Sequence, residues 1–236
     1  MRVTYLDFLA AAEINGAHPG GLSLTKSILA NERLAEKDRV LDVGCGIGQT
    51  ATYIASVYGC DVTACDNHKS MVQKASNNLK SMGLPVKVVE ASAENLPFKD
   101  QTFNYVLSES VTSFTNIGKS LREYKRVLAE DGEFIAIEMT RISPMTQTEI
   151  EEIEDFYQVK SLLSEEEWQD AFKQAGFVNV EMIGSALAEE HKDDVEHGAE
   201  FDLFQLGQEY VDVYFKHIDL TEKYGGQLGY CVFKCW

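Results

Sequence analysis

The sequence predicts an α/β fold, a seven-stranded and mostly parallel sheet with helices on both faces. Short runs rich in β-branched residues alternate along the chain with longer segments of helical periodicity, and this alternation is typical of parallel strands joined by crossover helices. A glycine-rich turn, residues 44–48, follows the first of these runs. The chain has 236 residues, of which 44% are hydrophobic, and is long enough to form one domain with a substantial core.

Each predicted strand is a short apolar run bounded by polar or glycine residues. The seven runs are residues 39–43, 61–65, 86–90, 103–107, 133–137, 178–182 and 228–233. We expect a turn at Glu130-Asp131-Gly132 to lead into the fifth strand. Apolar residues at helical spacing predict helices over residues 49–58, 68–82, 117–128 and 164–175. The last of these begins with a capping box, in which Ser164 is followed three residues later by Glu167.

Two stretches are longer than the connections that a compact sheet-and-helix core needs. They are residues 1–33, before the first strand, and residues 185–226, between the last two strands. The second stretch is rich in aromatic residues, among them Phe201, Phe204, Tyr210, Tyr214 and Phe215. We therefore predict a single domain over residues 1–236, with a core of about 34–184 and 227–236 and two helical cap segments over the carboxyl ends of the strands. The alternative is that both stretches decorate the outside of the core.

The charge and the cysteine content argue against several classes of function. The formal net charge is −17, with 38 acidic residues against 21 basic ones, and such a chain repels nucleic acid. No stretch is apolar enough to span a membrane, and no secretory signal is evident. The five cysteines form no CxxC pair. Together these observations favour a cytoplasmic protein with reduced thiols. His191, His197 and His217 match no standard zinc spacing, so we expect no metal site.

The glycine turn is the strongest indication of a bound ligand, because its glycines permit positive φ angles and close approach to the main chain. A dinucleotide-binding turn has the pattern GxGxxG, but here the third glycine, Gly48, comes one residue early. No Gly-Lys-Ser/Thr follows, which excludes a phosphate-binding loop. Asp66, just past the second strand, is positioned to accept hydrogen bonds from both hydroxyls of a ribose. Taken alone, the same aspartate would be a helix N-cap.

Three segments together resemble the class I S-adenosylmethionine-dependent methyltransferases of the ubiquinone and menaquinone biosynthesis type. Val40 to Gly48 looks like their first motif, Ser92 to Phe98 like the segment after their third strand, and Arg126 to Glu133 like their turn into the fifth strand. The similarity covers roughly residues 38–139. It implies a Rossmann-like fold and S-adenosylmethionine as the cofactor, and it leaves the methyl acceptor open.

The resemblance also implies which residues bind the methionine and ribose parts of the cofactor. Asp42 would lie near the methionine amine, at the end of the first strand. Gly44, Cys45 and Gly46 would form the turn beneath the methionine and the ribose. Asp66 would hold the ribose hydroxyls.

The same resemblance implies contacts to the adenine and to the methyl group. Asn67 would lie beside the adenine, and the segment Ser92-Ala93-Glu94 would contact it, with Ala93 donating its backbone N–H to a ring nitrogen. This family usually has Asp at the position of Ser92, and a neutral hydroxyl makes a weaker contact than a carboxylate. Ser108, Glu109 and Ser110, which follow the fourth strand, would face the methionine part and the transferred methyl group.

A methyltransferase of this kind places a nucleophile in line with the methyl group and excludes water. It needs a base only if the acceptor is protonated. The candidates for the base are Glu109 and His18, and the turn His18-Pro19-Gly20-Gly21 is similar to segments of small-molecule methyltransferases. Tyr5 is a candidate for orienting the acceptor, which we expect to be a small molecule bound by a monomer or a homodimer. The alternatives are a non-catalytic S-adenosylmethionine-binding regulatory protein and, with less support, a nicotinamide-dependent oxidoreductase.

Overall fold

The computed structural model describes residues 3–12, 18–188 and 206–236. The helices are α1 (Tyr5–Ala12), α2 (Gly21–Leu29), α3 (Gln49–Tyr58), α4 (Lys69–Ser81), α5 (Ile117–Val127), α6 (Gln147–Tyr157), α7 (Glu165–Gln174) and α8 (Gln208–Tyr224). The strands are β1 (Arg39–Val43), β2 (Asp61–Asp66), β3 (Lys87–Glu90), β4 (Phe103–Glu109), β5 (Leu128–Arg141), β6 (Val180–Leu187) and β7 (Leu228–Cys235). A short 3₁₀ turn, Thr112–Phe114, follows β4.

The seven strands form one sheet in the order β3-β2-β1-β4-β5-β7-β6. All neighbouring strands are parallel except β7, which runs antiparallel to both β5 and β6. This confirms the predicted seven-stranded, mostly parallel sheet. The strand order reverses between β1 and β4, and a reversal of this kind opens a crevice at the carboxyl ends of the strands. The glycine turn after β1 and the residues after β4 both lie at this crevice.

The two faces of the sheet carry separate apolar clusters, because side chains alternate along each strand. On one face Tyr124 of α5, Trp168 and Phe172 of α7, and the strand residues Phe134 and Phe233 are all completely buried. On the other face α2 and α3 cover the sheet, and the buried residues there include Leu29, Val40, Ala51, Ile54 and Leu107. Helices therefore pack on both faces, as the sequence predicts.

A third apolar cluster, the cap cluster, lies at the carboxyl edge of the sheet and joins α1, α6 and α8. Tyr157 of α6 and Tyr224 of α8 are buried in it, and Tyr5 of α1 packs against them. Met139, near the end of β5, and Leu228, the first residue of the antiparallel β7, belong to the same cluster. Helix α1, from the first long stretch, and helix α8, from the second, therefore meet at this edge. They are joined there by α6, a helix that the sequence analysis did not predict.

The structure places the predicted turn at residues 130–132 inside β5, where the chain folds back far enough that a methyl group added at Gly132 would lie 3.0 Å from the Leu128 side chain. β5 begins directly at Leu128, where α5 ends, and Leu128 pairs with Phe103 while Glu133 pairs with Tyr105. Residues 129–132 are therefore an irregularity opposite Asn104, within the strand rather than before it. The bounds of the sixth strand also differ from the prediction, since β6 extends to Leu187 by pairing along most of β7.

Some predictions concern residues outside the described ranges, namely His191, His197, Phe201 and Phe204. Within residues 3–12, 18–188 and 206–236, no helix combines the length and the apolar character of a membrane span. The same ranges contain no group of three His, Cys, Asp or Glu residues that could hold a metal ion.

Candidate cofactor and active site

The glycine turn after β1 is held against the end of β2. The backbone N–H groups of Gly44 and Cys45 both donate to the carbonyl oxygen of Cys65, at 2.7 and 3.0 Å. Gly44, Gly46 and Gly48 have φ angles of 69°, 53° and 86°, the left-handed region that favours glycine. A methyl group added at Gly46 would meet no protein atom within 4 Å, so this part of the turn is open to a ligand. The Cys45 thiol beside it is neutral, because burial raises its pKa.

Asp66 links the glycine turn to the start of α4. One carboxylate oxygen accepts from the backbone N–H of Gly46 at 3.0 Å, and the other accepts from the backbone N–H of His68 at 2.8 Å. Burial raises its pKa, although these two hydrogen bonds act in the opposite direction. The N-cap residue of α4 is His68, with no side-chain cap hydrogen bond, so Asp66 is not the helix cap that the sequence analysis considered. Asn67 beside it is exposed. Each carboxylate oxygen keeps a further lone pair, so a ribose remains a compatible partner.

The segment after β3 forms a tight turn next to α5. The Ser92 hydroxyl accepts from the backbone N–H of Glu94 at 3.2 Å, and Ser92 is exposed whereas Ala93 is buried. The Glu94 carboxylate accepts from the backbone N–H of Asn116 at 2.9 Å and lies 3.7 Å from Lys119. The structure thus engages Glu94 in holding this turn to the start of α5. Its contact with the cofactor stays a prediction.

Asp42 and Glu109 form an acidic pair at the switch in strand order. Asp42 is 2% exposed, and its Oδ2 has no hydrogen-bond partner among the described residues. Burial raises the pKa of Asp42 well above its ordinary value, and the Glu109 carboxylate raises it further. The carboxylate accepts from the backbone of Ala51, but its Oδ2 is a buried acceptor without a donor among the described residues, and a cationic group in the crevice would supply one.

Glu109 holds the N-terminal segment to the sheet. Its carboxylate accepts from the hydroxyl of Thr25 in α2 at 2.5 Å and from the hydroxyl of Thr50 in α3 at 2.6 Å. The predicted candidate His18 is also brought here, with its Nε2 3.7 Å from Glu109 and 3.3 Å from the Thr25 hydroxyl. Two distant candidates from the sequence analysis are thus brought into one cluster, through threonines that the sequence analysis missed.

The hydrogen bonds around His18 define the orientation of its ring. Its Nδ1 lies 3.1 Å from the carbonyl oxygen of Pro19, which can only accept. Its Nε2 lies 3.3 Å from the Thr25 hydroxyl, which donates to Glu109. Both ring nitrogens therefore contact protein groups, and these contacts fix the orientation of the imidazole beside Glu109.

Tyr5 lies in the cap cluster, where its ring stacks edge-on against Tyr157 with 4.9 Å between centroids. The Tyr157 hydroxyl is 2.9 Å from Nδ1 of His217, whose ring centroid is 5.1 Å from that of Tyr5. Burial lowers the pKa of His217 to about 4, so this imidazole is neutral near pH 7. The cap cluster therefore presents two phenols and a neutral imidazole at the carboxyl edge of the sheet.

Ser108 and Glu138 form a second polar group beneath the turn that follows β4. The Ser108 hydroxyl is completely buried and lies 2.9 Å from that of Thr112 and 3.3 Å from the Glu138 carboxylate. These contacts are within the protein, and a contact of Ser108 with the methionine part of the cofactor stays a prediction. The sequence analysis missed Glu138, although an acidic residue within the apolar run Phe134–Met139 is a visible signal of a buried carboxylate.

Comparisons with known proteins identify the family. A family model described as a methyltransferase domain matches residues 40–132. The uncharacterized methyltransferase YodH of Bacillus subtilis is 36% identical over 230 residues, which cover 97% of this chain and 97% of YodH. The chain belongs to the S-adenosylmethionine-dependent methyltransferases. The predicted resemblance and the predicted cofactor are thereby confirmed.

Two further similarities extend this result. The ubiquinone/menaquinone biosynthesis C-methyltransferase UbiE of Bartonella henselae is 32% identical over 129 residues, covering 52% of this chain and 50% of that protein. The solved structure of phosphoethanolamine N-methyltransferase 2 from Haemonchus contortus, in complex with S-adenosyl-L-methionine, superposes with a TM-score of 0.80 at 20% identity. That comparison covers 98% of this chain and 56% of the other and shows that the methyltransferase fold is shared.

Proposed function

We propose that this methyltransferase transfers the methyl group of S-adenosylmethionine to a small-molecule acceptor by in-line displacement. The observation that carries the proposal is the buried acidic pair at the crevice, in which Asp42 Oδ2 lacks a donor. The cofactor has an ammonium group that would supply this donor, and its sulfonium makes the methyl group electrophilic. The open face of the turn at Gly46, where an added methyl group would meet nothing, fits the main-chain approach that the cofactor requires.

The residues assigned to cofactor binding follow from this placement. Asp42 would accept from the methionine amine, and Gly44, Cys45 and Gly46 would lie beneath the methionine and the ribose. Asp66 would accept from the ribose hydroxyls while keeping its contacts to the backbone. Adenine contacts would come from the residues after β2 and β3, which are Asn67, Ser92, Ala93 and Glu94. Ser108 and Glu109 would border the methionine end.

The acceptor would bind between the glycine turn and the helical cap. Methyl transfer is efficient when water is excluded from the nucleophile, and the cap cluster supplies an apolar, aromatic surface at the carboxyl edge. Tyr5 would orient the acceptor from this cluster. Glu109 and His18 would remove a proton where the acceptor carries one.

The excess of acidic residues supports a small acceptor rather than a nucleic acid, since phosphates would meet a chain with a net charge of −17. We propose a cytoplasmic protein that acts as a monomer or a homodimer. The non-catalytic alternative, a regulatory protein that binds S-adenosylmethionine, requires the same cofactor site and differs only in turnover.

The experiment that tests this proposal has two stages. S-adenosylhomocysteine at 100 times its dissociation constant should stabilise the folded protein by about 2.7 kcal/mol, because it binds only the native state. No shift in Tm at a millimolar concentration would contradict the cofactor site. In the second stage, S-adenosylmethionine with a labelled methyl group is incubated with extracts of small metabolites. Label in an extracted compound, absent with the variant Gly46→Val, supports catalysis, whereas binding without any transfer supports the regulatory alternative.

A further inference from the structure

Glu138 is a completely buried carboxylate to which the proposed function assigns no role. It lies in β5 with an exposed fraction of 0%. One oxygen accepts from the backbone N–H of Thr112 at 3.0 Å and from the hydroxyl of Ser108 at 3.3 Å. The other accepts from the backbone N–H and the hydroxyl of Ser113, at 3.2 and 2.9 Å. Burial raises the pKa of Glu138 and these hydrogen bonds lower it. A buried carboxylate is costly, so a network of this kind has to be built around it.

Apart from the one from Ser108 in β4, these hydrogen bonds all come from the turn of residues 110–114, which leaves β4 at the crevice. The turn begins at Ser110, a non-glycine residue with a φ of 55°, in a region that L residues rarely adopt. The backbone N–H of Ser110 donates to the carbonyl oxygen of Ile137, one residue before Glu138. Three residues thus attach the turn to β5. Ser110 is attached through its backbone, and Thr112 and Ser113 are attached through Glu138. A turn with an unfavourable backbone conformation persists only where contacts from the surrounding structure hold it in place. The hydrogen bonds of Glu138 provide such contacts.

The same turn contacts the glycine turn through Val111. A methyl group added at Gly44 would lie 2.2 Å from the Val111 side chain, so the two turns are already in van der Waals contact. Beside Val111, the hydroxyl of Ser110 is buried and has no hydrogen-bond partner among the described residues. Any movement of residues 110–114 would therefore alter the space next to Gly44 and expose or displace this hydroxyl.

We propose that Glu138 is a positioning residue for methyl transfer: it holds the turn of residues 110–114 so that Val111 braces Gly44 and the glycine turn keeps the shape that binds the cofactor. The inference rests on the proposed placement of S-adenosylmethionine at the glycine turn. Glu138 acts through Thr112 and Ser113 and touches neither cofactor nor acceptor. The Ser110 hydroxyl, held at the crevice by the same turn, is the polar group that this arrangement presents to the methionine end.

The test uses Glu138→Gln, which preserves the shape of the side chain. A glutamine amide replaces one acceptor oxygen by a donor, and the hydroxyls of Ser108 and Ser113 can turn to accept from it, but a backbone N–H cannot. One of the two backbone contacts, to Thr112 or to Ser113, is then lost. We expect the affinity for S-adenosylhomocysteine, measured by titration calorimetry well below the melting temperature, to fall by about tenfold, the factor that corresponds to roughly 1.4 kcal/mol.

Two further variants separate positioning from general loss of stability. Ile135→Val removes one methylene from the opposite face of the same strand and should lower Tm while leaving the affinity for S-adenosylhomocysteine unchanged. Val111→Ala removes the brace on Gly44 without touching Glu138, and it should weaken S-adenosylhomocysteine binding several-fold with the network intact. Val111→Ala also keeps the inference testable if Glu138→Gln does not fold.

The outcomes are distinct. If the wild-type protein does not bind S-adenosylhomocysteine, the proposed function fails before this inference is reached. If the wild type binds and Asp66→Ala weakens binding, but Glu138→Gln or Val111→Ala binds as the wild type does, the positioning role is overturned. Equal losses of affinity in Glu138→Gln and Ile135→Val would also overturn it, since the effect would then reflect stability alone.

Discussion

Substitution by alanine should cost more stability at Gly44 and more cofactor affinity at Gly46, although both glycines lie in the same turn. Both have positive φ angles, 69° and 53°, and an alanine in this region costs roughly 1–2 kcal/mol. The new methyl group at Gly44 would lie 2.2 Å from Val111, whereas at Gly46 it would meet nothing within 4 Å. An overpacked contact adds about 1–3 kcal/mol. The structure therefore predicts a loss of stability of about 2–5 kcal/mol for Gly44→Ala and about 1–2 kcal/mol for Gly46→Ala.

The affinity for S-adenosylhomocysteine should follow a different order. The methyl group at Gly46 points into open space that we assign to the cofactor, so Gly46→Ala should weaken binding strongly although it is the more stable variant. Urea denaturation of both variants without ligand gives the stability difference, which corresponds to a shift in Tm of about 2–4 °C per kcal/mol for a chain of this size. Titration calorimetry on the folded variants gives the affinity.

The double variant Gly44→Ala with Val111→Ala is the matched control, because it removes part of the side chain that the new methyl group meets. It should recover part of the stability lost in Gly44→Ala, through the coupling expected of residues in contact. Equal destabilisation by the two single variants, or a Gly46→Ala protein that binds S-adenosylhomocysteine like the wild type, would refute this account of the turn.

Three further predictions follow from the site. Asp66→Ala should weaken S-adenosylhomocysteine binding at least about tenfold, since hydrogen bonds to a charged acceptor contribute roughly 1.5–3 kcal/mol each; unchanged affinity in calorimetry would refute a contact between Asp66 and the ribose. His217 takes up a proton at about pH 6.5 in the unfolded chain and at about pH 4 in the folded one, so stability should fall on acidification across this window by at most about 1.4 kcal/mol per pH unit. Urea denaturation at several pH values should show a smaller slope for His217→Gln, and equal slopes would contradict the prediction. Glu109→Gln should leave one of the two threonine hydroxyls without its acceptor and increase hydrogen exchange in α2, which carries Thr25, or in α3, which carries Thr50, with β1 as the internal control; unchanged exchange in both helices would contradict this.

Much of the sheet could be predicted from the sequence alone, because the residue patterns that indicate a strand involve only neighbouring residues. A strand such as Arg39–Val43 is an apolar run that ends at glycines, and the α/β alternation around it implies parallel pairing. The glycine turn and Asp66 were identified for the same reason, since each lies directly at a strand end. The capping box at Ser164 and Glu167 is likewise a pattern of neighbouring residues, and the structure contains it.

The contacts that define the site join residues far apart in the chain, and only the tertiary structure decides them. Thr25 and Glu109 are 84 residues apart, and their hydrogen bond depends on how α2 packs against the sheet. The start of β5 at Leu128, ahead of the irregularity at residues 129–132, depends on the pairing of Leu128 with Phe103 of β4, which no local turn pattern reports. The apolar run around Glu138 indicates burial, but only the fold shows that its partners are the backbone N–H groups of Thr112 and Ser113, about 25 residues earlier in the chain. The sequence specifies which groups are available, whereas packing determines which of them lose water and must therefore find a partner.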